Sequence, residues 1–476
     1  MIPVPSMQGK TAAVLGLGRS GRSACRALAA SGARVWAWDD APARRAEAAA
    51  AGVPVVDLAI CNWRRVDRLV LSPGIPSLHP RPHPLVRRAR EEGVEVVGDL
   101  ELLVENQPQR RIVGITGTNG KSTTTSLTGA LLRAAGIGVQ VGGNIGLPVL
   151  DLLPKPEEDI YVLELSSYQL ELTDQLGCSV AVILNLSADH LERHGGMGGY
   201  LRAKRRILRN QQASDWALIG VDDAHGQALF DELRAAGGRN LLPFAVGRAL
   251  EDGIYVVDGR LHDGRAPGAR PIVDLRPIAS LRGAHNWQNA AAAYGVARAL
   301  GVAPATAASG LRGFAGLAHR MEAVATQRGV QFVNDSKATN PEAAARALAS
   351  YERIYWIAGG RPKQSGLDPL LPWLDRVRHA YLIGEAAAPF EEALKSRVRC
   401  TRSGDLATAV AQAAAAATAD RAGGAVVLLS PACASFDQFT DFEARGEAFK
   451  ALVAALAGPA RPDRAEARAV ALEAGG

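Results

Sequence analysis

The stretch Arg111-Ile-Val-Gly-Ile-Thr-Gly-Thr-Asn-Gly-Lys-Ser-Thr-Thr-Thr125 decides the fold class of this chain. The apolar run 112–115 predicts a buried strand, a glycine-rich turn follows it, and a helical pattern begins near Lys121. In a strand–loop–helix unit of this kind, backbone N–H groups at the helix N-terminus bind a polyphosphate. The lysine then reaches the β- and γ-phosphates, and the hydroxyl of Ser122 binds Mg²⁺. The pattern predicts an α/β domain that binds ATP.

The turn departs from the strict phosphate-loop spacing, which would place a glycine where Ile115 stands, one position after Gly114. A glycine-rich turn after a strand can also be purely structural, so that alternative stays open. The residues expected to contact the nucleotide here are Gly117, Thr118, Asn119, Gly120, Lys121, Ser122 and Thr123.

Length and composition frame the rest of the chain. A length of 476 residues predicts roughly three domains, at about 150 residues each. Hydrophobic residues make up 47% and charged residues 21%, so the chain can bury full cores. The net charge of +6 is spread along the sequence, and aromatics are only 5%, so we expect no nucleic-acid binding. A mild basic excess suits anionic nucleotide substrates.

Cysteine usage and the hydrophobic pattern also indicate the cellular compartment. The five cysteines are scattered and lack C-x-x-C spacing, which predicts neither a disulfide framework nor a zinc site. The N-terminus lacks a signal-peptide pattern, and no apolar run reaches the length of about 18 residues expected of a membrane span. We expect a cytoplasmic monomer without membrane insertion.

The first of three predicted α/β domains covers residues 1–107. It contains Gly16-Leu-Gly-Arg-Ser-Gly21 after an apolar strand, with Asp39-Asp40 about 20 residues further on. This pattern predicts a Rossmann-like unit, but it does not separate NAD binding from another pyrophosphate ligand or from simple helix packing. A second turn, Ser72-Pro-Gly-Ile-Pro76, follows the strand that ends at Leu71.

The central and C-terminal domains are predicted at residues 108–316 and 317–476. The central domain is expected to be of the phosphate-loop ATPase type, with probable short antiparallel strands within 214–282. The C-terminal domain shows strands alternating with Ala-rich helical segments, which predicts a doubly wound sheet. The polar segment from about residue 458 reads as a flexible tail.

Polar residues at predicted strand ends are candidate ligands. Glu164 ends an apolar strand, where a carboxylate is costly unless it is paired, so a Mg²⁺ site or a helix-capping role would explain it. His190, preceded by Asp189, ends the next strand and is a candidate metal ligand or a structural histidine. Lys204 lies in a helical pattern, where a lysine is expected to be solvated.

Three further segments carry unusual polar patterns. Asn286, with its neighbours His285 and Asn289, stands at a helix start and could cap the helix or hold a nucleotide base. Arg320 could contact the γ-phosphate and Asp335 an adenosine hydroxyl, although Asp335 and Ser336 are also ordinary helix N-caps. A third segment holds Cys433, which we interpret as a buried structural thiol because no histidine lies at a recognisable spacing.

These motifs together resemble the ATP-dependent Mur ligases, over about residues 10–452. The segments that carry the resemblance are Gly114–Thr123, Glu164–Gln169, Ala188–His190, His285-Asn286, His319-Arg320, Asn334–Asn340 and Ser430–Ser435. The last two together resemble the glutamate-adding member of the family. The resemblance implies that the three domains bind a UDP-linked substrate, ATP and the incoming amino acid, respectively.

The resemblance also implies roles for single residues. Lys121, Lys204 and His190 would be catalytic, and Lys204 would be carbamylated rather than solvated. Ser122, Glu164 and His190 would hold two Mg²⁺ ions. Nucleotide contacts would come from the phosphate-loop residues together with Asn286, Arg320 and Asp335. Substrate contacts would come from Gly18, Arg19, Ser20, Ser72, Pro73, Gly74, Asn144, His190, Thr339, Lys363, Ser435 and Phe442. The loop around Lys363 is longer and less acidic than the common family form.

The implied activity is formation of an amide bond in peptidoglycan precursor synthesis. The substrates would be UDP-N-acetylmuramoyl-L-alanine, D-glutamate and ATP, joined through an acyl-phosphate intermediate. Alternatives are a Mur-type ligase of different amino-acid specificity, a nicotinamide-dependent dehydrogenase built on the turn at 16–21, and a non-catalytic nucleotide-binding regulator. A folylpolyglutamate synthase would place its ATPase domain first, whereas about 105 residues precede the phosphate loop here.

Overall fold

Three separate β-sheets organise the chain in the computed structural model. The structure describes residues 1–456 apart from 155, 157, 267, 269 and 363–365. Two compact units are separable: Met1–Phe314, which holds the first two sheets, and Ala315–Gly476, which holds the third. The predicted α/β class is confirmed. The division of the first unit at residue 107 stays a prediction, and the predicted tail from 458 lies outside the described residues.

The first sheet contains four parallel strands in the spatial order β2-β1-β3-β4. Its elements are β1 (Thr11–Leu15), α1 (Arg19–Ala30), β2 (Arg34–Trp38), α2 (Pro42–Ala50), β3 (Arg68–Leu71), α3 (Pro84–Glu91), β4 (Glu95–Val97) and α4 (Asp99–Asn106). All five residues of β1 are buried, as expected for a central strand in a parallel sheet.

The second sheet has nine strands in the order β13-β12-β11-β10-β9-β8-β5-β7-β6. Its elements are β5 (Arg111–Thr116), α5 (Lys121–Ala134), β6 (Val139–Gly143), β7 (Ile160–Glu164), α6 (Ser167–Glu171), β8 (Val180–Ile183), α7 (Met197–Arg205), β9 (Trp216–Gly220), α8 (Ala224–Ala236), β10 (Asn240–Val246), β11 (Ile254–Val257), β12 (Arg260–Asp263), β13 (Val273–Asp274), α9 (Ala284–Ala299) and α10 (Pro304–Arg312). The strands from β6 to β11 pair in parallel, and β12 and β13 add the expected antiparallel edge.

The third sheet has six strands in the order β14-β15-β19-β16-β17-β18. Its elements are β14 (Glu322–Gln327), β15 (Val330–Asn334), α11 (Pro341–Ala349), β16 (Ile354–Gly359), β17 (Val377–Ile383), α12 (Ala387–Leu394), β18 (Cys400–Gly404), α13 (Leu406–Ala419), β19 (Val426–Leu429) and α14 (Phe442–Leu456). The β14–β15 pair is antiparallel and the other pairs are parallel, so this sheet is doubly wound as predicted.

Gly114, the displaced glycine of the phosphate-loop motif, is a residue of strand β5 rather than of the turn. A Cβ atom at this position would lie 2.7 Å from the Sγ atom of Cys178 and 3.1 Å from the side chain of Ile207. The buried Cys178 thiol therefore occupies the space that a side chain would need. Close packing, and not phosphate binding, explains the glycine here.

We predict that Gly114→Ala destabilises the Met1–Phe314 unit by about 1–3 kcal/mol, because the new methyl group overpacks the contact with Cys178. Hydrogen exchange at the β5 amides in increasing denaturant measures this loss. Gly313→Ala is a matched control, since Gly313 has φ −82° and a Cβ there meets only ordinary contacts. The double variant Gly114→Ala/Cys178→Ala should recover part of the loss, and full additivity of the two changes would contradict the explanation.

Candidate active site

The ends of three neighbouring strands bring the central candidate residues to one edge of the second sheet. Strand β5 lies between β7 and β8, so the chain leaves β5 at a point where the strand order reverses. Glu164 ends β7, Thr116 ends β5, and Asn185 follows β8 closely. Ligands of open α/β sheets bind at such switch points. The predicted phosphate loop lies in this position.

The phosphate loop adopts a conformation that needs glycine at two positions. Gly117 has φ +152° and Gly120 has φ +83°, and both lie where side chains are strained. A Cβ atom on Gly120 would also lie 2.2 Å from the Oδ1 atom of Asn289, and one on Gly117 would lie 2.8 Å from Leu184. The loop therefore bends tightly onto its neighbours before helix α5 begins at Lys121.

Asn185 holds the phosphate loop in place through hydrogen bonds, and the sequence did not reveal this role. Its main-chain oxygen accepts the Thr118 N–H at 2.8 Å, and its Oδ1 atom accepts the Asn119 N–H at 2.9 Å. Its Nδ2 atom donates to the carbonyl oxygen of Asn119 and to the side chain of Gln288. A polar residue just after a strand was the available signal, but its partners lie far away in the sequence.

Two lysines converge on one carbonyl oxygen of the loop. The Nζ atom of Lys121 donates to the Gly117 oxygen at 2.9 Å, and the Nζ atom of Lys204 donates to the same oxygen at 2.8 Å. Lys204 also reaches the Thr116 hydroxyl at 3.3 Å and lies over the Tyr200 ring at 4.7 Å. Two ammonium groups this close would repel one another, so either a neutral Lys204 amine or a nearby anion, such as a nucleotide phosphate, relieves the repulsion.

The solvated position expected for a helical lysine is wrong for Lys204, which is only 2% exposed. Helix α7 presents this side chain to the phosphate loop instead of to water. Burial lowers the pKa of Lys204 well below its usual value, and the charge of Lys121 lowers it further. Asp189 and Glu164 act in the opposite direction. The amine therefore has more neutral character than an exposed lysine.

Glu164 is buried at the strand end, and its two oxygens differ in their surroundings. The Oε1 atom accepts a 2.7 Å hydrogen bond from the Nδ2 atom of Asn144, so the structure brings these two predicted residues together. Among the described residues, the buried Oε2 atom has no hydrogen-bond partner. The capping alternative is wrong for Glu164, because Ser166 and Gln169 form the capping box of helix α6. A buried carboxylate oxygen without a partner fits a cation site.

His190 lies at a sharply bent position after strand β8. It has φ +50°, and its side chain remains 53% exposed. Its Nε2 atom lies 3.5 Å from the Asp189 carboxylate, and its ring centroid lies 5.2 Å from that of Tyr168. The described residues contain no preformed group of three or more His, Cys, Asp or Glu side chains for a metal. A Mg²⁺ ion here would take its remaining ligands from hydroxyls, phosphates and water.

His194 is a buried residue of this site that the sequence reading missed. One ring nitrogen lies 2.9 Å from the Ser167 hydroxyl, and the ring packs between Tyr168 and Tyr200. Burial and then the nearby charges of Arg193 and Lys204 lower the pKa of His194 to about 4. The ring is therefore neutral at pH 7. It packs against Tyr200, which contacts Lys204, without adding a positive charge there.

The amides at the start of helix α9 bond to one another and to nearby protein groups, and they do not cap the helix. Asn286 donates to the Arg282 oxygen and accepts from Asn289 at 3.1 Å. Asn289 in turn accepts the Thr124 hydroxyl proton at 3.1 Å, which links α9 to α5. The helix N-cap is Gly283, and it has no side-chain cap. Both asparagines are buried beside the phosphate loop.

In the first sheet, the two predicted UDP loops touch one another. The Ser72 hydroxyl donates to the Gly16 oxygen at 2.7 Å, and a Cβ atom on Gly21 would lie 1.8 Å from that same oxygen. Gly18 is the N-cap of helix α1, with Arg19 and Ser20 in its first turn. Pro73 and Gly74 follow Ser72 in the other loop.

The acidic residue of the Rossmann-like pattern is engaged inside the protein. Asp39 accepts the Leu17 N–H at 2.7 Å and the Ala41 N–H at 2.9 Å. Burial alone would raise its pKa, but these N–H groups and Arg44 lower it overall. In a dinucleotide site this carboxylate would bind a ribose hydroxyl. Here it stabilises the glycine turn, which disfavours the NAD alternative.

In the Ala315–Gly476 unit, Asp335 is buried where strands β15 and β19 end side by side. Its oxygens accept the Ser430 hydroxyl proton at 2.8 Å and the Met321 N–H at 3.2 Å. Burial raises the pKa of Asp335 to about 7. The N-cap alternative is wrong for Asp335 and Ser336, because Asn340 caps helix α11. Arg320 directly precedes Met321, and its positive charge offsets part of the rise in the Asp335 pKa that burial causes.

The same unit brings Phe442 next to residues of the Asp335 segment. The Phe442 oxygen accepts the Ser336 hydroxyl proton at 2.8 Å, and the Nζ atom of Lys337 lies 4.9 Å from the Phe442 ring centroid. Ser435 is buried, whereas Thr339 is half-buried. Lys363 lies outside the described residues.

Arg445 is a third residue that the sequence did not reveal. It is 1% exposed and donates to the Ser336 and Cys433 carbonyl oxygens at 2.8 and 3.1 Å. Burial lowers its pKa to about 10. The guanidinium thus joins the two polar segments of this unit. The neighbouring Cys433 is buried and forms no disulfide bond with another described cysteine, which agrees with the structural interpretation.

Comparison with known proteins places this geometry in a family. Residues 115–297 match the family model described as "Mur ligase middle domain", and residues 319–433 match "Mur ligase, glutamate ligase domain". The chain is 53% identical over 465 residues to the UDP-N-acetylmuramoylalanine--D-glutamate ligase of Phenylobacterium zucineum, covering 96% of this chain and 98% of that one. It is 52% identical over 462 residues to the ligase of the same name from Caulobacter vibrioides, covering 96% and 98%.

Solved structures share the fold at low sequence identity. The UDP-N-acetylmuramate-alanine ligase MurC of Thermotoga maritima matches with a TM-score of 0.58 at 18% identity, covering 92% of this chain and 98% of that one. A MurF structure from Acinetobacter baumannii matches with a TM-score of 0.55 at 20% identity, covering 78% and 82%. Since two family domains match in order and close relatives align over nearly the whole length, this chain belongs to the Mur ligase family.

Proposed function

We propose that this protein is an ATP-dependent amide ligase that adds D-glutamate to UDP-N-acetylmuramoyl-L-alanine in peptidoglycan precursor synthesis. The carboxylate of the alanine residue attacks the γ-phosphorus of ATP, and ADP leaves. The amine of glutamate then attacks the acyl carbon of the resulting acyl phosphate. Phosphate leaves with the bond electrons, and the amine loses a proton to give the amide.

The observation that carries the proposal is the pair of lysines on the Gly117 oxygen, with the charge of Glu164 acting on Lys204 and the Glu164 Oε2 atom lacking a hydrogen-bond partner within the described part of the chain. Phosphoryl transfer to a carboxylate brings several negative charges together, and catalysis depends mainly on offsetting them. Lys121 supplies a fixed positive charge at the phosphates. Lys204 is close enough to the same loop to help position the phosphoryl acceptor.

Ser122, Glu164 and His190 are the residues that would hold Mg²⁺, which supplies charge neutralisation between the phosphates. Ser122 is buried in the first turn of α5, and Glu164 offers an oxygen with no partner among the described residues. We propose two ions, because Ser122 follows the phosphate-loop lysine, whereas Glu164 ends strand β7 and His190 lies in the loop after strand β8. Asn144 would hold the Glu164 carboxylate in place and contact the muramoyl substrate.

Lys204 is proposed to carry a carbamate. Only a neutral amine reacts with carbon dioxide, and burial favours the neutral form of this side chain. The carbamate would replace a buried cation by an anion and would remove the repulsion between Lys204 and Lys121. An anion here would also be able to orient a cation.

The remaining substrates are assigned to the other two sheets. The touching loops with Gly18, Arg19, Ser20, Ser72, Pro73 and Gly74 would bind the UDP moiety, as part of a domain spanning 1–107. The domain at 108–316 would bind ATP, with Asn286 near the base. In the domain at 317–476, Arg320 and Asp335 would contact the nucleotide, and Thr339, Lys363, Ser435 and Phe442 the glutamate.

The proposed cellular setting is the cytoplasm, and the proposed oligomeric state is a monomer. The five cysteines, all in the described part of the chain, form no disulfide bonds, which suits a reducing compartment. No helix among the described residues combines the length and the apolar character needed to cross a membrane.

We predict that Lys121→Ala lowers kcat for ADP formation by about 100- to 1000-fold, because a fixed positive charge at the phosphates is lost. A coupled ADP assay measures the rate, and circular dichroism checks the fold. Lys395→Ala is the control, since Lys395 is exposed and pairs with Glu392. Turnover close to wild type in Lys121→Ala would contradict the ATP assignment.

Lys204→Ala should be nearly inactive and should regain part of its activity with short carboxylic acids, which can occupy the place of the carbamate. The same acids should not rescue Lys121→Ala. In the wild type, lower pH protonates the amine, so activity should fall with falling pH and recover with added bicarbonate. Wild-type-like activity in Lys204→Ala would exclude a carbamate role.

ADP release should require UDP-N-acetylmuramoyl-L-alanine and glutamate together. The measurement is ADP formation across a panel of amino acids that includes both glutamate enantiomers, with D-glutamate expected to give the fastest rate. Equal or faster release with another amino acid would favour a Mur-type ligase of different specificity.

A further inference from the structure

Arg193 joins the predicted UDP loop to the loop that carries His190. Its Nη2 atom donates to the carbonyl oxygens of Pro73 at 3.3 Å and Ile75 at 3.1 Å. Its Nη1 atom donates to the carbonyl oxygen of His79 at 3.1 Å. One half-buried side chain therefore holds three main-chain groups of the segment that follows strand β3.

Arg193 is also tightly connected to His190. Its N–H donates to the His190 oxygen at 3.0 Å, which closes a single turn of 3₁₀ helix at Leu191–Arg193. His190 has a positive φ, so it begins this turn in a conformation that the surrounding contacts must maintain. Movement of the guanidinium would therefore be transmitted along this short turn to His190.

Aromatic contacts strengthen the connection. The Arg193 guanidinium lies 4.8 Å from the centroid of the Tyr168 ring, and the same ring lies 5.2 Å from the His190 ring. The two loops also meet directly, because a Cβ atom on Gly195 would lie 2.9 Å from the Nε2 atom of His79. The guanidinium is thus enclosed between the UDP loop and the metal-binding candidate.

We propose that Arg193 is a positioning residue that couples binding of the UDP-linked substrate to the placement of His190. A substrate that orders the segment from Ser72 to His79 would fix the guanidinium, and the 3₁₀ turn would then fix His190 for Mg²⁺. Because coupling between two sites is reciprocal, Mg²⁺ would tighten binding of the UDP-linked substrate by the same factor. The inference rests on the proposed function.

The test measures this coupling by binding and not only by turnover. Isothermal titration in the constant presence of ADP gives the Kd of UDP-N-acetylmuramoyl-L-alanine with and without Mg²⁺, for the wild type, Arg193→Lys and Arg193→Met. We expect a coupling of about five- to tenfold in the wild type, within the common range for linked sites, and less than twofold in both variants. Lysine keeps the charge but not the planar fork, and methionine keeps apolar contact with Tyr168.

Steady-state kinetics provide a second measurement. Both Arg193 variants should raise the KM for the UDP-linked substrate and the Mg²⁺ concentration for half-maximal rate, with the KM for ATP changed less than twofold. Arg205→Lys is the matched control, since Arg205 lies on the following helix and donates to Glu232 at 2.9 Å. This control should keep the wild-type values.

The outcomes are distinguishable. Wild-type coupling retained in Arg193→Lys and Arg193→Met would overturn the role of Arg193. An equal rise in all three constants together with a lower melting temperature would also overturn it, because that result indicates a merely structural residue. A wild type that does not bind the UDP-linked substrate at all would overturn the proposed function and this inference with it.

Discussion

The shared carbonyl oxygen of Gly117 is the point on which the candidate site depends. Two lysine side chains donate to this oxygen, one from the start of α5 and one from α7. Two ammonium groups so close together in a buried place repel one another, and this repulsion adds to burial in favouring the neutral form of Lys204 unless an anion lies nearby. The phosphate loop therefore carries an electrostatic repulsion that binding of an anion would relieve. The convergence of two lysine side chains, more than the glycine pattern, distinguishes this loop from an ordinary structural turn.

Parallel strands explain why residues so distant in sequence meet at this point. Each crossover returns the chain to the same edge of its sheet, so successive strand ends deliver polar side chains to one place. In the second sheet this principle gathers Glu164, the phosphate loop and Asn185. In the third sheet it places Asp335 beside Ser430. The same chain geometry is used three times, once for each sheet.

Local patterns predicted the fold and part of the site. The strand–loop–helix unit, the parallel first sheet and the antiparallel edge near 254–274 follow from short-range signals. Burial of Lys204 could not be predicted from its own helix, because it depends on contact with a loop far back in the chain. Asp335 resembled a cap because the true cap, Asn340, belongs to the same polar run.

Other site residues escaped for a related reason. Asn185, His194 and Arg445 act through main-chain or hydroxyl groups of distant segments, and such partners leave no spacing in the sequence. The resemblance to a family supplied roles for residues that matched known motifs. It gave no role for these three residues, which hold the motif segments in place through hydrogen bonds. Only a three-dimensional arrangement reveals this kind of support.

The contact between Gly120 and Asn289 has an evolutionary consequence. The asparagine oxygen occupies the space where a side chain at position 120 would begin, and the same oxygen holds Thr124 of helix α5. Neither position can drift alone, because a larger residue at 120 would displace the amide and a smaller residue at 289 would release the helix. In a diverging lineage we expect residues 120 and 289 to change together. Recombination between the two positions would then preserve the loop only when both parent genes encode compatible residues there.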